Sequence, residues 1–257
     1  MITVLDIPLS PYAQKVKLSL LEKGIAFETR VPNVLEPDAE FRAQSPRLEV
    51  PALIDGDFAI FDSSVIVEYV EERWPEPALL PATPRERARV RMLEEVCDTA
   101  YDAVNWGMAE ISVFRRAEGA TAERILQKAR EQVARLNARI ERDFEGRPWL
   151  NGERFGFGDI AAYPFVNGAA SMGCKPAPGS RLEAWLKAMR GRPSAERVKQ
   201  DIVATLADFM QRPAQIAAGQ HRREYRDHRL DWMLRSGGLE IVLDGIAKKN
   251  IRFSEEL

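Results

Sequence analysis

Residues 2–31 run ITVLDIPLSPYAQKVKLSLLEKGIAFETRV, and their reading decides the fold. Ile2 to Ile7 alternate around β-formers and Pro8 stops the run, which reads as a first strand. Ser10 suits an N-cap and Pro11 the first helical position, while Val16, Leu20 and Leu21 form an apolar stripe that Gly24 ends. Ala26 to Val31 supply a second strand. A strand, a crossover helix and a strand in this order are expected to pair in parallel.

Further along, Pro37 to Ala43 read as a short polar helix and Ser45 to Glu49 as a loop. Ala52-Leu53-Ile54 and Ala59-Ile60-Phe61 flank Asp55-Gly56-Asp57, whose turn chemistry predicts a hairpin. Ser63 to Trp74 returns to helical spacing through Ile66, Val67 and Val70, and the proline-rich stretch Pro75 to Pro84 reads as a linker. From Arg85 the pattern is helical, with apolar residues three and four apart at Val90, Leu93, Val96, Ala100 and Val104. Breaks are expected at Gly119, at Gly146-Arg147-Pro148, from Gly173 to Gly179, and at Gly191-Arg192-Pro193. Beyond Gln211 two more helices are expected, His221 to Arg235 and Leu239 to Lys249, separated by Gly237-Gly238 and stopped at Asn250. The expected organisation is an α/β domain over residues 1–77, an all-helical bundle over 85–210 and a helical extension over 211–257.

Composition narrows the function. With 37 Lys+Arg against 39 Asp+Glu the net charge is -2, so no field draws in nucleic acid or an acidic membrane, and neither partner is expected. Cys97 and Cys174 are the only cysteines and lie far apart, which excludes a disulfide scaffold and a CxxC redox pair. No apolar run approaches the roughly 20 residues that span a bilayer, and the start MITVLDIPLS has no basic and apolar leader pattern, so a cytoplasmic location is expected. The two histidines, His221 and His228, have no carboxylate or thiolate cluster beside them and read as a solvated helix face, so no metal is expected.

Three features of the first domain can carry chemistry. Ser10, at a helix start behind a strand, either caps that helix or donates to an anion that the helix dipole also favours. A thiol held there would lose its proton more readily, each unit of lowering needing about 1.4 kcal/mol of thiolate stabilisation. Pro51, after Glu49-Val50, marks either a plain strand start or a cis bond that turns the Val50 backbone outward to pair with a peptide-like ligand. Asp62-Ser63 opens a helix whose free N–H groups can grip a carboxylate while Asp62 pairs with an amine, or else Asp62 merely caps.

In their order and spacing, Ser10, Val50-Pro51 and Asp62-Ser63 resemble the glutathione S-transferase family, and SPYAQKVKLSLLEKGIAFE looks like its serine-type, bacterial-like classes. The resemblance covers roughly residues 1–210. It implies a thioredoxin-like N-terminal domain, a helical C-terminal domain, a homodimer, and glutathione as co-substrate. Ser10 would then stabilise the thiolate, the Val50 backbone beside cis Pro51 would pair with the cysteinyl unit, and Asp62-Ser63 would hold the γ-glutamyl end. The thiolate would attack a hydrophobic electrophile, for which Tyr12, Tyr101, Asn105, Trp106 and Met108 are the candidate pocket residues. A structural role as bundle core is the alternative for the last four.

In Phe155-Gly156-Phe157-Gly158-Asp159, the resemblance makes Asp159 a folding residue that orients a core helix, with Gly156 in place of the usual hydroxyl cap and the capping box expected to be weaker. Two departures bear on function. Glu49 stands where a basic residue often holds the glycyl carboxylate, a repulsion of about 1 kcal/mol that Arg47, Arg42 or a residue of the second domain would have to offset, and Asp62 is one methylene shorter than the usual Glu. A different glutathione-dependent reaction (dehalogenation, ether cleavage, peroxide reduction) or a non-catalytic binding role on the same scaffold therefore stays open. In the extension, Tyr225, Trp232 and Phe253 are expected either to cover the cleft or a second subunit, or to face solvent.

Overall fold

The computed structural model describes residues 1–34, 36–211, 214, 230 and 237–248. Strand β1 (Ile2–Leu5) is followed by α1 (Pro11–Glu22), β2 (Phe27–Arg30), α2 (Ala39–Gln44), β3 (Ala52–Asp55), β4 (Phe58–Phe61) and α3 (Ser63–Arg73). The sheet order is β2-β1-β3-β4, with β1 and β2 parallel and the other pairs antiparallel. The expected hairpin forms, and Gly56, at φ 65, supplies the left-handed residue its turn needs. Local chemistry sets the helix starts. Ser10 accepts from the Ala13 N–H, Asp38 from Phe41 and Asp62 from Ser64 and Val65, and prolines occupy the first turns of α1 and of α4 below.

The second layer is helical: α4 (Pro84–Val96), a π-helical turn (Cys97–Tyr101) and α5 (Asp102–Ser112), then α6 (Gly119–Asp143), α7 (Phe157–Ser171), α8 (Arg181–Arg190) and α9 (Pro193–Phe209). Every expected glycine or Gly-Arg-Pro break falls between these helices or at the first residue of one. The α/β fold with an all-helical second part is thus observed as expected. Cys97 and Tyr101, rather than Ala100, enter the core.

The sheet and bundle share one core, in which α1 packs on α3 as well as on α7 and α9. That position buries α1 from Ala13 to Leu20, including Lys15 and Lys17, far beyond the stripe that its sequence spacing predicts. The chain divides into two compact units, Met1–Pro213 and Ala214–Leu257. In the second, α10 (Leu239–Ala247) forms where a helix was expected, with Leu239, Ile241, Leu243 and Ile246 exposed. The expected helix 221–235, the end of the one expected to reach Lys249, and His221, His228, Tyr225, Trp232 and Phe253 lie outside the described residues.

The start of α7 corrects one expectation. The Gly156 N–H donates to Asp159 Oδ2 at 3.0 Å, which is half of a capping box, and the Asn151 side chain supplies the other acceptor, taking the Gly158 N–H at 3.2 Å. A Cβ on Gly156 would overlap the Asn151 side chain and the Leu79 carbonyl, so the missing hydroxyl is the result of close packing and the cap is replaced rather than weakened. Asp159 also accepts from Leu150 N–H at 2.9 Å and Trp185 Nε1 at 2.8 Å.

Candidate active site

Register brings the three sequence features to one end of the sheet. Leu5 stands opposite Ala52, and Ala52 opposite Phe61, so the chain leaving β1, entering β3 and leaving β4 does so in one row. Ser10 follows that row on β1, Val50-Pro51 precedes it on β3 and Asp62-Ser63 follows it on β4. The starts of α1 and α3, with their partial positive charge, therefore face the same end of the sheet.

Ser10 sits outside the helix, with φ -68 and ψ 120, and its Oγ accepts the Ala13 N–H at 3.3 Å. That bond uses the oxygen as acceptor and leaves the hydroxyl hydrogen for an anion in front of the helix. The loop before it is pinned, since the Ser10 N–H donates to the Ile7 carbonyl at 2.7 Å and Gln14 Nε2 to the Pro8 carbonyl at 3.0 Å. The Val50–Pro51 bond is cis. Just before it, the Ser45 hydroxyl donates to the Glu49 carbonyl at 2.9 Å and accepts the Glu49 N–H at 3.2 Å, which fixes the approach to Val50.

Asp62 adopts φ 75, a conformation that non-glycine residues rarely hold, and in it Oδ1 takes the Ser64 and Val65 N–H groups. Its Oδ2 lies 3.4 Å from Arg47 Nη2, and Arg47 Nη1 lies 3.9 Å from Glu49. Arg47, stacked 5.3 Å from the Phe61 ring centroid, is thus a cation beside Glu49, and Arg42 is exposed on α2. Ser63 is buried at the first position of α3.

The five pocket candidates separate. Tyr12, on α1, donates its hydroxyl to the Asp98 carbonyl at 2.6 Å and packs edge-on against Phe165. Trp106 is half-buried, and Asn105 is half-buried with Nδ2 donating to the Phe165 carbonyl at 2.9 Å. Tyr101 and Met108 are core residues. Tyr101 is fully buried with its hydroxyl on Asn137 Oδ1 at 2.7 Å, and burial pushes that phenol above its usual range, while Met108 Sδ lies 3.5 Å from Cys174 Sγ inside the bundle. Neither offers surface to a substrate, since both side chains are buried.

Sequence reasoning missed a polar cluster behind these residues. Lys15 Nζ lies 2.6 Å from Glu94 Oε1 and 2.6 Å from Asp98 Oδ2, and the Ser64 hydroxyl donates to Glu94 Oε1 at 2.6 Å. The usable signal was the alternation Lys15-Val16-Lys17-Leu18, which leaves α1 no polar face wide enough for solvent. Among the described residues no group of three or more His, Cys, Asp or Glu is arranged to hold a metal, and no helix is long and apolar enough to cross a membrane.

Comparisons with known proteins bear on the family. The models of the glutathione S-transferase N-terminal and C-terminal domains match residues 4–78 and 82–193. Glutathione S-transferase F10 of Arabidopsis thaliana is 28% identical over 172 residues, 65% of this chain and 80% of that protein. A stringent starvation protein A homolog of Pasteurella multocida is 30% identical over 155 residues, 60% of this chain and 68% of that protein. Among solved structures, the theta class glutathione S-transferase from Xanthomonas axonopodis pv. citri with glutathione bound superposes with a TM-score of 0.64 at 26% identity, covering 76% of this chain and 95% of that one. With both domain models matched in order across the sheet and the bundle, the chain belongs to the glutathione S-transferase family.

Proposed function

We propose that this chain is a glutathione transferase in which Ser10 donates its hydroxyl hydrogen to the glutathione thiolate. The reading rests on the row Leu5, Ala52, Phe61, since three loops leaving one sheet end suit one extended tripeptide. The γ-glutamyl end lies at Asp62-Ser63, where the α3 start favours its carboxylate, and the cysteinyl backbone pairs with Val50 beside cis Pro51. Arg47 offsets Glu49 near the glycyl end. The sulfur anion then attacks a hydrophobic electrophile bounded by Tyr12, Asn105 and Trp106, with displacement of its leaving group. The thiolate is stabilised before the electrophile arrives, so the Ser10 bond acts by raising the fraction of reactive sulfur.

The protein acts as a homodimer, in the cytoplasm, in detoxification, and these parts of the proposal rest on family habit. The test is retention on immobilised glutathione followed by turnover of a generic aryl halide. Ser10→Ala is expected to fold and be retained, while kcat/KM falls about a hundredfold, the usual loss for one donor to a reacting anion. Unchanged turnover in that variant removes Ser10 from the mechanism. Retention without turnover by the natural chain would favour the binding-protein reading, for which the acidic Glu49 beside the cis proline is the supporting feature.

A further inference from the structure

The cluster behind the site is built from the starts of both ligand-facing helices. Lys15 and Tyr12 belong to α1, which Ser10 caps, and Ser64 is the second residue of α3, which Asp62 caps. Both helices are tied to the end of α4 and the π turn that follows it: Lys15 by Glu94 and Asp98, Ser64 by Glu94, and Tyr12 by the Asp98 carbonyl. The Lys15 side chain is fully buried, so the spacing of α1 and α3 depends on the two carboxylates that hold its ammonium. Two anions on one buried cation leave the cluster one negative charge in excess.

We propose that Asp98 is a positioning residue for glutathione: its carboxylate holds the starts of α1 and α3 at the separation the tripeptide needs, and a proton on it loosens both. The inference rests on the glutathione reading above. Asp98 is the member of the cluster able to take that proton. Its Oδ1 is buried with no hydrogen-bond partner among the described residues, so its charge is held through Oδ2 alone.

The groups around Asp98 set the balance. Lys15 faces it from α1, Ser64 from α3, Glu94 from α4 and Asp102 from α5, and beside it in the π turn is Cys97, whose thiol burial keeps protonated. From α7, Phe165 closes the far side of Tyr12. Burial, reinforced by Glu94 and Asp102 and opposed by Lys15, pushes the Asp98 carboxyl up to about 6. Below that pH the free protein carries the proton. A ligand that needs the ionised arrangement expels it on binding, so affinity falls as pH falls and a proton is released.

The experiment is calorimetric titration of the full chain with S-methylglutathione, whose sulfur has no proton to lose, in buffers of different ionisation heat. Dissociation constants are expected to rise about tenfold from about pH 7.5 to about pH 5, the effect one pH unit below a carboxyl at about 6 when only its ionised form binds, with proton release over the lower part of the range. Asp98→Asn should bind at the weaker level at every pH. The His221→Gln/His228→Gln double variant should keep the natural profile, and this arm stands even if Asp98→Asn fails to fold. A flat profile in the natural chain, a natural profile in Asp98→Asn, or its loss in the histidine variant overturns the inference while leaving glutathione binding in place. No binding at any pH overturns the glutathione reading and the inference with it.

Discussion

Gly156 carries a side-chain vacancy that two neighbours fill: the Asn151 amide on one side and the Leu79 carbonyl on the other. Gly156→Ser would restore a hydroxyl cap, yet its Cβ has no room. The expected outcome is a loss of about 1–3 kcal/mol, the usual range for overpacking, measured by urea unfolding. A gain in stability would show that the cap matters more than the contact. Asn151→Ala tests the converse, since the Gly158 N–H then loses its acceptor, and a loss of about 1 kcal/mol is expected in the same measurement. Ser10 differs from both because its capping bond to Ala13 is long, at 3.3 Å, and only part-buried. Its replacement by alanine is therefore expected to show in turnover far more than in unfolding.

At the scale of the element, α1 is a helix whose charges face inward. Besides Lys15, Lys17 pairs with Asp6 at 2.6 Å and Asp201 at 3.1 Å, and Lys23 donates to the Trp74 and Pro77 carbonyls and pairs with Glu71 at 2.7 Å. Removing one partner of a buried pair leaves an uncompensated charge, so Lys17→Met is expected to cost about 3–5 kcal/mol at neutral pH. Burial already pushes the Asp6 carboxyl up against the pull of Lys17. Without Lys17 it rises further, and as pH falls Asp6 takes a proton and the stranded charge disappears. The deficit of Lys17→Met should accordingly shrink between about pH 7 and about pH 5 in denaturant titrations. A deficit that is constant across that range would mean that lost packing of the lysine stem dominates.

Across the whole molecule, α1 serves both the sheet domain and the bundle, and the core runs without a break from Val4 and Leu53 through Val16 to Phe165 and Trp185. Residues 1–213 are therefore expected to unfold in a single transition, with coincident midpoints by far-UV circular dichroism and tryptophan fluorescence. Separate midpoints would show that the bundle stands without the sheet.

The strands, the hairpin turn, the helix starts at Ser10 and Asp62, and the glycine breaks could all be read from the chain because their signals lie within about four residues, whereas the linker expected to reach Pro84 already ends at the Thr83 cap of α4. The three candidate loops at Ser10, Val50-Pro51 and Asp62-Ser63 could also be picked out by their chemistry, but that they leave one end of the sheet came only with the strand order and register. Hidden from such reading were the π turn, the close approach at Gly156, and the carboxylates that meet Lys15 from 79 and 83 positions away and Lys17 from 184. Local sequence therefore determined which segments form and which loops carry candidate site residues. Which charges stand behind those loops was decided only when α1 was enclosed on all sides, because burial strengthens pairing between groups that the linear chain keeps far apart.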